Sequence, residues 1–203
     1  MSNTIPAINS FSQYQADALY TLSHEFHLQQ AAELYHAIIG LVTETVEMLE
    51  AIKTEDKFDK VNFAEEIGDA FWYIAVGAWY CALPPESIKL LKVDYSKAPD
   101  TQPLLHELID SLFLKGGALL DMMKKSFYYN RPYREEEFQA LFQDAAHILV
   151  TMASVIQVPV EHILGVNIFK LKRRFPHKFE ASAANNRDLT AERAQLEVIT
   201  GGV

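Results

Sequence analysis

Glu44-Thr-Val-Glu47 and, 22 residues further on, Glu66-Ile-Gly-Asp69 decide how this chain is read. Each pair spans i,i+3, so its two carboxylates lie about 60° apart on neighbouring turns of one helix face. The polar stretch Thr54-Glu-Asp-Lys-Phe-Asp-Lys60 interrupts the helical pattern between them. Two helices joined by a loop that short should pack as an antiparallel hairpin, with all four acids at one place. Four converging carboxylates repel each other unless a cation sits among them. Hard divalent ions such as Mg²⁺ take all-oxygen ligand sets of this kind.

Outward from the acid pairs the pattern is helical almost throughout. Phe11 to Leu22 reads as a short first helix with Ser10 as its cap. Leu28 to Lys53 is a long amphipathic helix with Leu34, Ile38, Leu41, Met48 and Ile52 on one face. Val61 to Leu83 follows and stops at Pro84-Pro85. A short helix is expected from Pro85 to about Val93, then a polar connection from Asp94 to Pro103. Leu104 to Tyr128, the loop Tyr129-Asn-Arg-Pro-Tyr133 and Arg134 to Val158 repeat the helix–loop–helix plan. Pro159 is acceptable in the first turn of a last helix, Val160 to Arg174, which Phe175-Pro176 closes.

The halves superpose with Asp121 at the place of Glu47 and Asp144 at the place of Asp69. Ala118 then stands for Glu44 and Leu141 for Glu66, so the second half keeps one acid of each pair. The expectation is an all-α fold with a four-helix core built from two hairpins, the first metal-binding and the second degenerate. Additional N- and C-terminal helices flank that core. We expect one domain over residues 1–192, with hairpins at about 28–83 and 104–158 and a C-terminal helix at about 160–174, followed by a tail over 193–203.

An isolated acid pair usually decorates a solvated face. Here the run from Ala70 to Leu83 is apolar on every side and should be buried, and Glu66 and Asp69 share the face of Tyr73, Val76 and Tyr80. Glu44 borders an apolar arc beside Gly40 and Ala51. Buried unpaired carboxylates cost several kcal/mol, which favours cation binding. Glu33, Glu50 and Glu65 read as solvent-facing. Trp72 and Trp79 read as core, His36 as non-catalytic, and His147 as an inward partner of Asp144.

Composition narrows the function classes. The 203 residues are 49% hydrophobic and 11% aromatic, enough for a sizeable core. A net charge of −9, with no basic stripe before Lys170-Leu-Lys-Arg-Arg174, argues against nucleic-acid binding. The single Cys81 rules out an intrachain disulfide and fits a reducing compartment, so a cytoplasmic location is expected. The first residues do not read as a signal peptide, and the apolar run of 14 residues is too short to span a bilayer. No Gly-rich phosphate loop, zinc-type Cys/His set or nucleophile elbow is present.

Gly40-Leu-Val-Thr-Glu-Thr-Val-Glu47 followed by Glu65-Glu-Ile-Gly-Asp-Ala-Phe-Trp-Tyr73 resembles the MazG-like all-α nucleoside triphosphate pyrophosphohydrolases. The mark of that family is an ExxE pair followed by an ExxD pair. Asn167-Ile-Phe-Lys-Leu-Lys-Arg-Arg-Phe-Pro176 is similar to its NxxKLxxRyp signature. Lys178-Phe179 and Asn186-Arg-Asp-Leu189 resemble an extension found in many phage and bacterial members. The resemblance runs from about Phe11 to Glu192. It implies hydrolysis of a (deoxy)nucleoside triphosphate to the monophosphate and pyrophosphate, for pool sanitation or control of dNTP supply. Glu44, Glu47, Glu66 and Asp69 would be the catalytic metal ligands for Mg²⁺, with Mn²⁺ able to substitute.

The family's Lys and aromatic-Gly-Lys-Pro-like loop is missing from the first hairpin. The other hairpin carries a stretch similar to it, Met123-Lys-Lys-Ser-Phe-Tyr-Tyr-Asn-Arg-Pro132. Lys124, Lys125, Tyr129 and Asn130 are therefore substrate candidates. Lys170 and Arg174, at i,i+4 on the last helix, could reach one polyphosphate, and Asn167 joins them. A dimer is common in the family, although the internal repeat could supply within one chain what smaller relatives obtain by dimerising. The alternative is a non-catalytic helical protein that binds nucleotide or metal and acts through partner helices.

Overall fold

The computed structural model describes residues 6–20, 29–53, 58–91, 101–129, 131–132, 134–176, 193–194 and 197. Within them the fold is all-α: α1 (Phe11–Tyr20), α2 (Gln29–Lys53), α3 (Lys60–Tyr80), α4 (Thr101–Tyr129), α5 (Glu135–Val155) and α6 (Val160–Arg174). Pro85–Ser87 forms only a single 3₁₀ turn where a longer helix was expected. Asn130, Lys178-Phe179 and the 186–189 motif lie outside the described residues.

Local chemistry sets the helix ends. The Ser10 hydroxyl accepts from the Gln13 N–H at 3.2 Å, and the Asp59 carboxylate accepts from the Asn62 N–H at 3.0 Å, each meeting an unpaired first-turn donor. Pro103 sits inside the first turn of α4, where an N–H is not needed, so the helix starts before the expected Leu104. Pro159 caps α6 instead of occupying its first turn.

α3 and α5 end identically, which supports the repeat. Ala82 and Gln157 take left-handed backbone angles, φ 51° and 57°. Leu83 N–H bonds the Ala78 carbonyl and Val158 N–H the Ala153 carbonyl, the long bond of a Schellman cap, and a proline follows each. Ala82 lies 13 residues past Asp69 and Gln157 lies 13 past Asp144, in agreement with the register of the two halves. A side chain at positive φ costs about 1 kcal/mol. Ala82→Gly should therefore raise stability by about 0.5–1 kcal/mol in denaturant titration, and a loss of stability would count against this cap.

The hairpins pack into a four-helix core. α2 lies on α3 and α4, α4 on α5, and α5 on α3. Glycines set the close approaches: Tyr73 packs on Gly40, Phe142 on Gly77 and Val42 on Gly116. α3 also carries α1 and α6, so four helices surround it. That accounts for its apolar run, with one exception: Trp79, expected in the core, is 59% exposed. Tyr14 is fully buried between α1 and α3, and Lys172 reaches Asp17 at 2.7 Å, so both terminal helices belong to the same unit. Arg193, counted with the tail in sequence, forks Asp59 through Nη1 at 2.9 Å and Nη2 at 3.1 Å. Among the described residues, no single helix is long and apolar enough to cross a membrane.

Candidate functional site

Three of the four motif acids converge. Glu44 from α2 and Glu66 and Asp69 from α3 place carboxylate oxygens within 4.8 Å of one another. Glu44 is 9% exposed and Glu66 6%, because both face the α2–α3 seam. They are hydrogen-bonded to each other, an arrangement that needs a shared proton. Burial first, and the charge of Asp69 second, push both carboxyls well above the ordinary glutamate range. Glu47 is exposed at the solvent edge and outside the tight group, though its charge still acts on Glu44 and Tyr73. The donor set is oxygen only and carries excess negative charge, which fits a hard divalent cation.

Asp69 is held differently from the two glutamates. Lys170, on α6 and 8% exposed, directs Nζ at Asp69 Oδ1 (2.8 Å) and Oδ2 (2.6 Å) and at Glu65 Oε1 (2.9 Å). An ammonium has three donors, and these contacts use all of them. Burial alone would lower the Lys170 pKa, but Asp69 and Glu65 outweigh it and the group is held charged. Asn167 Nδ2 adds a 2.5 Å bond to Asp69 Oδ1, and the Tyr14 hydroxyl lies 3.0 Å from Asn167 Oδ1 and 3.2 Å from the Gly68 carbonyl. A Cβ on Gly68 would meet Asn167 Cβ at 3.0 Å, so the glycine lets α6 come this close.

Two corrections concern acids. Glu65, expected in solvent, is the second anchor of Lys170, with a side chain only 12% exposed. Glu33, also expected in solvent, is buried and hydrogen-bonded to Tyr80. Glu50 is exposed as expected. Tyr14 was not singled out in the sequence; a tyrosine among apolar positions of a short helix carries no signal of a partner more than 150 residues away.

The substrate candidates separate into two places. Asn167 and Lys170 are at the acid cluster, but both are engaged with Asp69 rather than open to a phosphate. Arg174, one turn beyond, is half-buried with its guanidinium 6.0 Å over the Phe175 ring. Lys124 and Lys125 both pair with Asp121, Lys124 at 2.6 Å, and Tyr129 is exposed at the end of α4. α2 and α4 are antiparallel with Val42 against Gly116. Lys125 therefore lies roughly 16 Å along the bundle from Glu44, at 1.5 Å per residue. One chain does not bring these two groups together.

In the second hairpin the acids are balanced by lysines. Asp144 is exposed and pairs with Lys115 at 2.6 Å, and Asp121 is held down to about 2 by hydrogen bonds from Lys124 and Lys125. His147 is exposed rather than turned toward Asp144, a further correction. Next to the acid cluster, His36, Trp72 and Tyr73 pack edge-on at 5.1–6.1 Å between centroids, and burial lowers the His36 pKa.

No family model, curated protein or solved structure matches the chain.

Proposed function

We propose that the protein is a divalent-metal-dependent hydrolase of a (deoxy)nucleoside triphosphate, releasing the monophosphate and pyrophosphate. The observation that carries this reading is the convergence of Glu44, Glu66 and Asp69 at the seam of two helices, where Lys170 clamps Asp69 directly and acts on Glu44 only through its charge. The sequence resemblance in the same acid pairs and in the 167–176 block points the same way.

Glu44, Glu66 and Asp69 would hold the ion, Mg²⁺ or Mn²⁺, which neutralises polyphosphate charge and acidifies a bound water. The residues of the chain then have separate tasks. Glu44 and Glu66 would give up their shared proton on holding the ion. Glu47, at the solvent edge, would take a proton from the water that attacks the α-phosphorus. Lys170 and Asn167 keep Asp69 ionised and aimed, and Arg174, one turn beyond Lys170 on α6, would be the cation for the departing pyrophosphate.

The test is pyrophosphate release from a panel of NTPs and dNTPs, with and without Mg²⁺ or Mn²⁺. Metal-dependent release from at least one of them is expected. Silence across the panel with both ions would remove the hydrolase reading and leave a non-catalytic metal- or nucleotide-binding bundle.

A further inference from the structure

Phe11, Tyr14 and Ala18 stand at i, i+3 and i+7 on α1, and all three are buried. The side chains of Phe11 and Ala18 offer only carbon to the core. Tyr14 differs, because its ring carries a hydroxyl into the interior beside the acid cluster. Packing fixes where that hydroxyl ends. The ring stands edge-on to Phe71 at 6.4 Å between centroids, and α1 is fastened on both sides of it. Gln15 Nε2 donates to the Ala75 carbonyl of α3 at 3.1 Å, and Asp17 pairs with Lys172 of α6. A phenylalanine would fill the same space, so apolar packing alone does not call for the hydroxyl.

We propose that Tyr14 is a positioning residue of the acid cluster, acting through Asn167 on Asp69; this rests on the reading of that cluster as a metal centre. The Tyr14 hydroxyl donates to Asn167 Oδ1 at 3.0 Å, and Asn167 Nδ2 donates to Asp69 Oδ1 at 2.5 Å. A carboxylate only accepts, so the amide must present its NH₂ group to Asp69 and turn its oxygen toward α1. Asn167 is 3% exposed, and its oxygen therefore needs a donor from within the fold. Tyr14 is that donor. The Gly68 carbonyl, 3.2 Å from the hydroxyl, is another acceptor and cannot take its place. Without the hydroxyl, the amide oxygen is stranded and the amide is free to turn, so Asp69 loses a fixed neutral donor. Lys170 still clamps Asp69, so the centre should weaken and not collapse. Hydrogen bonds of this outer kind hold a ligating carboxylate in its direction. The relay draws on α1, α6 and α3, which makes α1 part of the centre although it lies outside both hairpins.

The probe is Mn²⁺ alone, titrated into the full-length chain and followed by the EPR signal of the free ion, below the melting temperature of every variant. Tyr14→Phe should weaken Mn²⁺ binding by about 10- to 100-fold while the helical circular dichroism spectrum is kept. Ala18→Gly loosens the same helix one turn away from the relay and should bind as wild type does. Asn167→Ala should weaken binding by itself. Adding Tyr14→Phe to it should change nothing further, because the hydroxyl has then lost the group it positions. A Tyr14→Phe protein that binds like wild type overturns the proposal and leaves the metal reading standing. An equal loss in Ala18→Gly, or two losses that multiply in the double variant, overturns it in the same way. A wild-type chain that binds no Mn²⁺ overturns it together with the metal reading beneath it, so the two failures are told apart.

Discussion

Glu66→Gln should raise the melting temperature of the metal-free protein at neutral pH while removing metal-dependent pyrophosphate release. Glu66 is buried beside Glu44 and Asp69, and burial followed by the Asp69 charge raises its pKa from 4.5. A carboxyl that is harder to ionise in the folded state binds its proton more tightly there than in the unfolded chain. The stability it contributes is complete below about pH 4.5 and is lost as pH rises through the elevated folded value. Gln keeps the neutral, hydrogen-bonding form at every pH. Wild type and variant should therefore melt together near pH 4.5 and diverge as pH rises. Each pKa unit is worth about 1.36 kcal/mol, so a gain of roughly 1–3 kcal/mol is expected. That is several degrees at about 2–4 °C per kcal/mol for a chain of this size. On the hydrolase reading the same substitution removes a proposed metal ligand and should cost about 10²–10³ in turnover, the scale of losing one electrostatic contact to the reacting group. Melting curves in EDTA at several pH values, paired with turnover in Mg²⁺, check both halves. A gap in melting temperature that stays constant with pH would contradict the shared-proton account.

Lys170→Met should be the most destabilising single change at the site. It leaves Asp69 and Glu65 partly buried without their ammonium, and breaking one side of a buried pair costs about 3–5 kcal/mol. A fall of about 10 °C in melting temperature is expected. Adding Asp69→Asn to the Lys170→Met background should recover part of that loss, because the stranded charge is then gone; a double-mutant cycle measures the coupling. A Lys170→Met protein that melts with wild type would show the clamp to be idle.

The acid pairs were legible because helical spacing fixes direction without knowledge of neighbours. Glu44, Glu66 and Asp69 follow from that spacing and from the short loop between the helices. Glu47 shows its limit. A 60° step around the helix is enough to move a carboxylate from the seam to the solvent edge, and only the position of α3 decides which side it falls on. Glu65 and Glu33 were misjudged because Lys170 and Tyr80, which draw them in, are distant in sequence or on another helix. The second hairpin was read as two helices close to their observed bounds, yet its polar residues were not placed. Asp144 turns to Lys115 on α4, and that leaves His147 outside. Trp79 was assigned to the core because the whole α3 run is apolar, but its end projects beyond the four helices that wrap it.

The bond from Lys170 to Asp69 also sets an order of events during synthesis. The carboxylates of α2 and α3 leave the ribosome about a hundred residues before the lysine that steadies Asp69. Until α6 emerges, Asp69 and Glu65 lack the ammonium that pairs with them. A nascent chain arrested at Val158 would contain every motif acid and still lack Asn167 and Lys170. On the hydrolase reading, a prematurely terminated product should be inert however complete its acid motifs look.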